Sequence, residues 1–294
     1  MIAERNVAQR AAARLAQSVA MTCALSLFSV AHAADSKPTN DKLPDWAPKP
    51  KAHVIEDRFR VEVMTLNAGA DTTIRVDPTL ATEGTLIDAE DDLGLEDSKL
   101  LPLAEITLLP GERHLIRLSG FSLRRSARTM IDRTIVFDDQ TYNPGERVDS
   151  TLNLTSVGLT YGYSVAKTQR VDVALTFGVQ VVEVDANAVV RSRVVRDSET
   201  AVTPLPLVGI EGRFDFNQRW SFEARAQYLS VEFDEIDGSV LDARAALTWR
   251  MNPYLVFGLG YRNFRVEVDS RDIDDPGIFD LEMAGPLFFM RASL

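Results

Sequence analysis

The sequence predicts an all-β chain that closes into a transmembrane antiparallel up-and-down β-barrel of about ten strands, with eight or twelve as the alternatives and both termini periplasmic. Three observations predict it. Successive segments alternate apolar and polar residues with period two, the period of a strand with two different faces. The links between them alternate short and long, the asymmetry of an outer-membrane barrel. The chain opens on an export signal, and no later run of about 18 apolar residues supplies a membrane helix.

The signal comes first. Arg5, Arg10 and Arg14 face a single acid, Glu4, and precede an apolar stretch over 15–30 and then Ala31-His32-Ala33 before Ala34. That order is a charged n-region, an h-region and an A-x-A cleavage site. Gln17, Ser18, Thr22 and Ser26 interrupt the stretch, which leaves it too short and too polar for a permanent span of about 20 residues. Residues 1–33 are therefore read as a cleaved signal peptide. Pro38, Pro44, Pro48 and Pro50 mark 34–56 as a Pro-rich periplasmic leader, and 57–294 as the barrel. Cys23, the only cysteine, falls inside the signal, so the mature chain carries no thiol to be trapped in wrong disulfides in an oxidising periplasm.

Charge narrows the function classes. Three of the 32 Lys+Arg and one of the 43 Asp+Glu lie in the first 33 residues, which leaves 29 against 42, a net charge of −13. So acidic a chain has no nucleic-acid partner. A mean hydropathy of −0.08 also suits a soluble protein. It fits a barrel equally, because a transmembrane strand needs only about 9–11 residues with one apolar face.

The strands read, in order, 58–77, 101–109, 114–137, 147–166, 171–190, 204–216, 220–233, 239–251, 254–268 and 278–294. In 171–181 the valines with Leu175 and Phe177 oppose Asp172, Thr176 and Gln180. Val208, Ile210, Gly212, Phe214 and Phe216 oppose Glu211, Arg213 and Asp215. Trp220, Phe222, Ala224, Ala226 and Tyr228 oppose Ser221, Glu223, Arg225 and Gln227. Leu241, Ala243, Ala245, Leu247, Trp249 and Met251 oppose Asp242, Arg244, Thr248 and Arg250. Short turns at 110–113, 167–170, 217–219 and 252–253 alternate with links at 78–100, 138–146, 191–203, 234–238 and 269–277. The segment 84–90 either extends a neighbouring strand or pairs with 72–77 as an extra hairpin. In the strand from Tyr254 the apolar phase switches between Tyr261 and Phe264, which predicts a bulge there or the level at which the strand leaves the membrane.

Apolar faces outward put aromatic residues at the lipid interfaces: Trp220, Trp249 and Tyr254 beside short turns and Tyr228 farther along its strand. The same orientation sends charges of both signs inward: Glu105, Arg117, Asp172, Glu211, Arg213, Asp215, Glu223, Arg225, Asp242, Arg244, Arg250 and Arg291. A barrel of about ten strands is narrow, so these side chains are expected to interlock as a salt-bridged plug, because an unpaired charge there would cost several kcal/mol.

The motifs Gly84-Thr85-Leu86-Ile87-Asp88-Ala89-Glu90-Asp91-Asp92-Leu93-Gly94-Leu95, Arg113-His114, Pro204-Leu205-Pro206, Gly258-Leu259-Gly260-Tyr261 and Gly285-Pro286-Leu287 resemble a family of uncharacterised proteobacterial outer-membrane β-barrel proteins. The likeness runs from about residue 58 onward. In topology the chain is also similar to OmpA-type and OmpW-like barrels. The resemblance implies a barrel in the outer membrane, with outer-membrane lipids, lipopolysaccharide and the barrel-assembly machinery as partners, and no catalytic residues. The chain ends on Leu294 where such proteins commonly end on Phe, although Phe288, Met290 and Ala292 keep the alternation before it.

Hydrolysis through Ser or Thr needs a base, usually His oriented by a carboxylate. The mature chain offers only His53 in the leader and His114 beside a turn. Gly258-Leu259-Gly260 has no helix behind it and is no dinucleotide fingerprint. The acids Asp88, Glu90, Asp91 and Asp92 (with Glu96 and Asp97 nearby) and Asp269, Asp272, Asp274 and Asp275 could hold Ca²⁺ through oxygen, yet neither run has the EF-hand spacing. No cofactor is indicated. The expected function is non-enzymatic: a structural or surface-interaction barrel with a plugged lumen. The alternatives are a narrow, porin-like small-solute channel and a lipid- or peptide-processing enzyme at the outer rim.

Overall fold

Ten long strands hydrogen-bond into a closed antiparallel ring. The computed structural model describes residues 58–78, 83–137, 140–190, 195–233, 236–271 and 276–294, so the expected signal and leader lie outside the described residues. The strands are β1 (Phe59–Val76), β2 (Ile87–Asp88), β3 (Ser98–Leu108), β4 (His114–Met130), β5 (Ile135–Phe137), β6 (Gln140–Tyr142), β7 (Arg147–Lys167), β8 (Val171–Val190), β9 (Val195–Asp215), β10 (Trp220–Phe233), β11 (Ile236–Asn252), β12 (Leu255–Ser270) and β13 (Gly277–Ser293). The ring runs β1, β3, β4, then β7 through β13, and β13 closes on β1. β2 pairs only with β1, and β5 only with β6.

One end of the barrel, the turn end, carries the short connections, and their chemistry is local. Asn217 Oδ1 accepts from the backbone of Arg219 and Trp220, and Asn252 Oδ1 accepts from Tyr254 and Leu255. Gly111 supplies a φ of 85° in the turn between β3 and β4. Leu294 and Phe59 exchange backbone hydrogen bonds there, fastening the last residue of the chain beside the first barrel strand.

At the loop end several expectations need correction. The strand expected over 114–137 stops at Met130, because Ile131 and Ile135 turn inward to pack with Ile87, Tyr142 and Val148. The segment 84–90 contributes only the two residues of β2, opposite Thr73 and Ile74, so the barrel stays at ten strands rather than twelve. β9 starts at Val195, β11 at Ile236 and β13 at Gly277, so three links are shorter than their turn residues suggested. The two large links are 77–97 and 131–146. No bulge separates Tyr261 from Phe264: β12 keeps one register with β11 and with β13 there. The register shifts lie instead beside turns, between Ser164 and Ala166 and between Arg250 and Asn252.

What changes near Tyr261 is the solvent. Along β12 the outward row runs Leu255, Phe257, Leu259, Tyr261 and then Asn263, Arg265, Glu267, while the inward row passes from Arg262 to Phe264 and Val266. β4 turns from outward Ile116 and Leu118 to outward Arg124 and Arg128, and from inward Arg117 to inward Phe121 and Leu123. β13 does the same between Phe288 and Glu282. Strands of 20 or 21 residues, as in β7, β8 and β9, are about twice the length a bilayer requires, so the barrel continues past it. Below the crossing, apolar side chains satisfy lipid outside; above it, they leave water by turning inside.

The wall is incomplete at two places among the described residues. The β9–β10 ladder ends at Val208 opposite Tyr228, although both strands run on. The β3–β4 ladder ends at Leu103 opposite Phe121. Odd residues of β4 bond to β7, as the Arg113 carbonyl accepting from Ser164 and the Ile131 amide donating to Glu146 show at its two ends. Even residues therefore point their N–H and C=O at β3. The next pair would set Ser122 against Pro102, which has no N–H to give, and the ladder stops. From Ser122 to Met130 that edge has no strand partner among the described residues.

The crossing level makes a quantitative prediction. Leu247→Arg, in the outward apolar belt, should cost about 2–4 kcal/mol in urea unfolding from lipid vesicles. Asn67→Arg, outward but above the belt, should leave the unfolding midpoint unchanged; equal losses would remove the assigned water line.

Candidate functional site

The interior is the one place where the ring gathers charged side chains from distant strands, and it is arranged in storeys. Nearest the turn end is an ionic one. Arg291 donates to Glu62 at 2.6 Å and, bidentately, to Glu223 at 2.8 and 2.6 Å. Arg225 makes a bidentate pair with Glu105, to which Arg117 and Arg244 add longer contacts of 3.7 and 3.8 Å. Arg117 reaches Glu211 at 2.5 Å, Arg244 pairs with Glu62 at 2.6 Å, and Arg262 holds Asp242 at 2.9 and 3.0 Å. Arg213 bridges Asp215 at 2.8 Å and Ser221. Six carboxylates thus face six guanidiniums, which leaves the storey neutral. Such pairing is what makes burial of these groups tolerable.

Ten of the twelve charges expected in the lumen meet in this network. Asp172 does not: it sits half-buried near the turn end, opposite Lys167 and Arg213 in register, and its Oδ1 accepts no hydrogen bond among the described residues. Arg250 turns instead to the carbonyl of Pro253, 3.0 Å away, in the β11–β12 turn. Glu62 and Arg262 join without having been expected, because each lies on a row that is apolar farther along, with Met64 and Phe264. A strand whose inner row changes character midway shows no single polar face to read. Of the aromatic residues, Trp220 opposes Trp249 in register near the turn end, Tyr254 stands in the turn, and Tyr228 lies farther up β10; all four are exposed.

The next level is a hinge in polarity made by aromatic rings. Arg244 and Arg291 lie against the face of Phe289 at 4.2 and 5.3 Å from its centroid, and Arg262 against Phe121 at 5.5 Å. Phe121 meets Phe264 edge to face. Gly258 makes room for this layer: a Cβ there would lie 2.1 Å from the Phe289 ring. Above it the interior becomes an apolar core that includes Met64, Leu66, Leu101, Leu123, Leu154, Phe264, Leu281 and Met283. The salt-bridged plug is therefore one part of the filling, and hydrocarbon supplies the other. A polar cavity with room for about one water molecule, lined by Ser119, Thr160, Gln180, Gln227 and Asp242, lies within the ionic level.

The loop end is closed by its own links. In 83–97, Ala89 and Leu95 bury against Leu152. Glu90 accepts from Arg125, which is 1% exposed and also donates to Thr72, and Glu90 in turn accepts from the Thr72 amide at 2.9 Å. Asp92 forms a bidentate pair with Arg133, whose guanidinium also reaches the Leu86 carbonyl at 2.8 Å. Asp88 accepts from the amides of Glu90 and Asp91, shaping a tight turn. Of the four acids named for Ca²⁺, Asp88, Glu90 and Asp92 thus accept from arginines and backbone amides. Of the second acidic run only Asp269 is described, and it lies 3.6 Å from Arg271.

Chemically, the interior of the described residues offers paired arginines and carboxylates. His114 stands on the outer wall near the turn end with Nδ1 2.8 Å from the Tyr161 hydroxyl, among Tyr161 and Tyr163 rings. His53 lies outside the described residues.

No family model matches the sequence, and no curated protein sequence does. Solved structures do match. The outer membrane protease OmpT from Escherichia coli shares 11% identity over 81% of this chain and 97% of its own, with a TM-score of 0.51. The transport unit of the autotransporter AIDA-I from Escherichia coli covers 83% and 92% at 8% identity and a TM-score of 0.40, and the Pseudomonas putida toluene transporter TodX covers 81% and 90% at 8% and 0.33. At these identities the likeness is one of fold, that of an outer-membrane β-barrel.

Two measurements test the storeys. Glu105→Ala strands Arg225 among buried charges and should cost about 3–5 kcal/mol in urea unfolding; a change within error would mean the network is not coupled. At the loop end, the hydrogen bond from Arg133 holds the Asp92 carboxyl below its ordinary value of 3.8. The clasp therefore contributes stability that is complete above 3.8 and fades as pH falls through the lowered folded value. Amide exchange in 86–95 should accelerate over that acid range, and Arg133→Ala should abolish the dependence.

Proposed function

We propose that this chain is an integral barrel of the outer membrane whose sealed interior makes it a rigid, non-enzymatic platform, with the loop end outside the cell and the turn end, including both barrel termini, in the periplasm. The observation that supports this most is that the interior is filled at three successive levels: ionic, apolar and lid. A continuous water path would have to part paired charges and then cross hydrocarbon, each step costing several kcal/mol. The export signal read at 1–33, the outward belt and the fold it shares with outer-membrane barrels support residence in that membrane, with its lipids and lipopolysaccharide around the belt and the assembly machinery acting during insertion. The motif resemblance to a family of proteobacterial outer-membrane barrels agrees with this reading. Glu90 and Asp92 at the loop end are engaged by Arg125 and Arg133, which leaves these two poorly placed to activate water as a rim hydrolase would require.

Planar-bilayer recording tests it. Purified barrel should give no conductance steps, and Glu90→Ala, which frees the lid, should give none either because the two lower storeys remain. Discrete steps from the unmodified protein would make it a channel. Turnover of labelled lipid A or peptides would make it an enzyme.

A further inference from the structure

The gap between β3 and β4 presents a second kind of site. On β4 the even residues Ser122, Arg124, Ser126, Arg128 and Met130 point their backbone groups at an edge with no strand partner among the described residues, where the Arg124 carbonyl accepts from Lys99 Nζ. Arg124, Ser126, Arg128 and Met130 are exposed, and across the gap Leu100 is 68% exposed. Among the described residues the edge is neither bulged nor covered by a strand, and no proline lies in β4; the protection it carries is charge, outward Arg124 and Arg128 and inward Arg125.

Charge says what fits it. Residues 121–130 contain three arginines and no acid, and 98–102 contain one lysine and no acid, in a chain of net charge −11. Arg125 turns inward to Glu90, Arg128 is held by Asp149 and Lys99 lies 3.3 Å from Glu96, which leaves Arg124 as the cation of the gap with no carboxylate partner among the described residues. A second copy fits poorly: antiparallel pairing of two β4 edges about Ser126 would set Arg124 directly against the partner's Arg128, and like charges facing each other across strands are destabilising. We infer that the β4 edge between Ser122 and Met130 receives an extended acidic polypeptide segment by strand addition. The segment would place carboxylates beside the outward arginines and small apolar residues inward, over Leu123 and Ala127. Main-chain bonds supply the attachment in such complexes and side-chain alternation the choice of partner. The inference rests on the proposed function only in placing this edge outside the cell.

Purified barrel in detergent and a labelled synthetic peptide of alternating Glu and Val test it at low salt. Amides of Arg124, Ser126 and Arg128 should exchange rapidly in the free barrel while those of Leu123, Arg125 and Ala127 are protected, and the peptide should slow the first set. Ser126→Pro removes an edge N–H without touching the β7 ladder, so the barrel should fold with its unfolding midpoint unchanged and bind about tenfold more weakly, the equivalent of one lost hydrogen bond. Arg124→Glu, which alters no backbone group, should weaken binding similarly and should restore it toward a Lys-Val peptide. Protected even amides in the free barrel, binding indifferent to both substitutions, or equal binding of Lys-Val by the unmodified protein would overturn the proposal. So would edge-dependent dimerisation in sedimentation, which would give the edge to a second copy. Conductance steps would sink the sealed-lumen reading and leave these outcomes untouched.

Discussion

A barrel strand that runs past the membrane meets two solvents along one outer face, and its apolar residues must change sides where lipid gives way to water. Everything else in this structure follows from that crossing. Below it, the hydrocarbon layer takes the valines, leucines and aromatics of β7 through β13, which leaves the charged row pointing at a narrow axis where it must pair. Above it, water takes Arg124, Asn263, Arg265 and Glu282 on the outside, and the hydrocarbon goes inside as a conventional core. Phe289 and Phe121 stand at the boundary because an aromatic ring is the side chain that can offer one face to a guanidinium and its edge to hydrocarbon.

The same constraint explains how the interior is sealed twice by different physics. Ion pairs close the lower storey with no net charge, and their energy is modest on balance because desolvation offsets attraction. They are better understood as a device that forbids alternatives: any slip of register would strand a carboxylate without its arginine. The apolar storey is ordinary burial, and it gives the barrel a core that a pure lipid-facing ring lacks. The lid adds a third closure, held by Arg125 with Glu90 and Arg133 with Asp92, and it takes its position from the incomplete wall beside it.

That incomplete wall is the place where local chemistry overrides the closed-ring solution. Pro102 removes the donor with which β3 would next bond β4, and the two strands do not pair again beyond it, whereas across Pro286 the β1–β13 ladder resumes at Gly69 opposite Ala284. A closed barrel has no free edge within the membrane, where an unpaired amide is intolerable. Here the edge begins where β4 has already turned arginine outward, in water, so it is permitted and available.

Period-two alternation and turn residues were enough to read all-β architecture, ten strands, and strand bounds that mostly fall within a few residues of those observed, because each of these is a local property of the chain. Asn217 and Asn252 announced their turns for the same reason. The inward charges were legible wherever a strand kept one polar face, as in β10 and β11, and Glu62 and Arg262 were not, because their rows change solvent midway. What the tertiary structure alone decided is who meets whom. Arg291 finds Glu62 across 229 residues and Arg225 finds Glu105 across 120, and those partnerships depend on closure and stagger of the whole ring. The acidic run at 88–92 likewise meets Arg125 and Arg133 only through the fold, since a carboxylate's partner is set by the nearest cation, and sequence distance does not measure that.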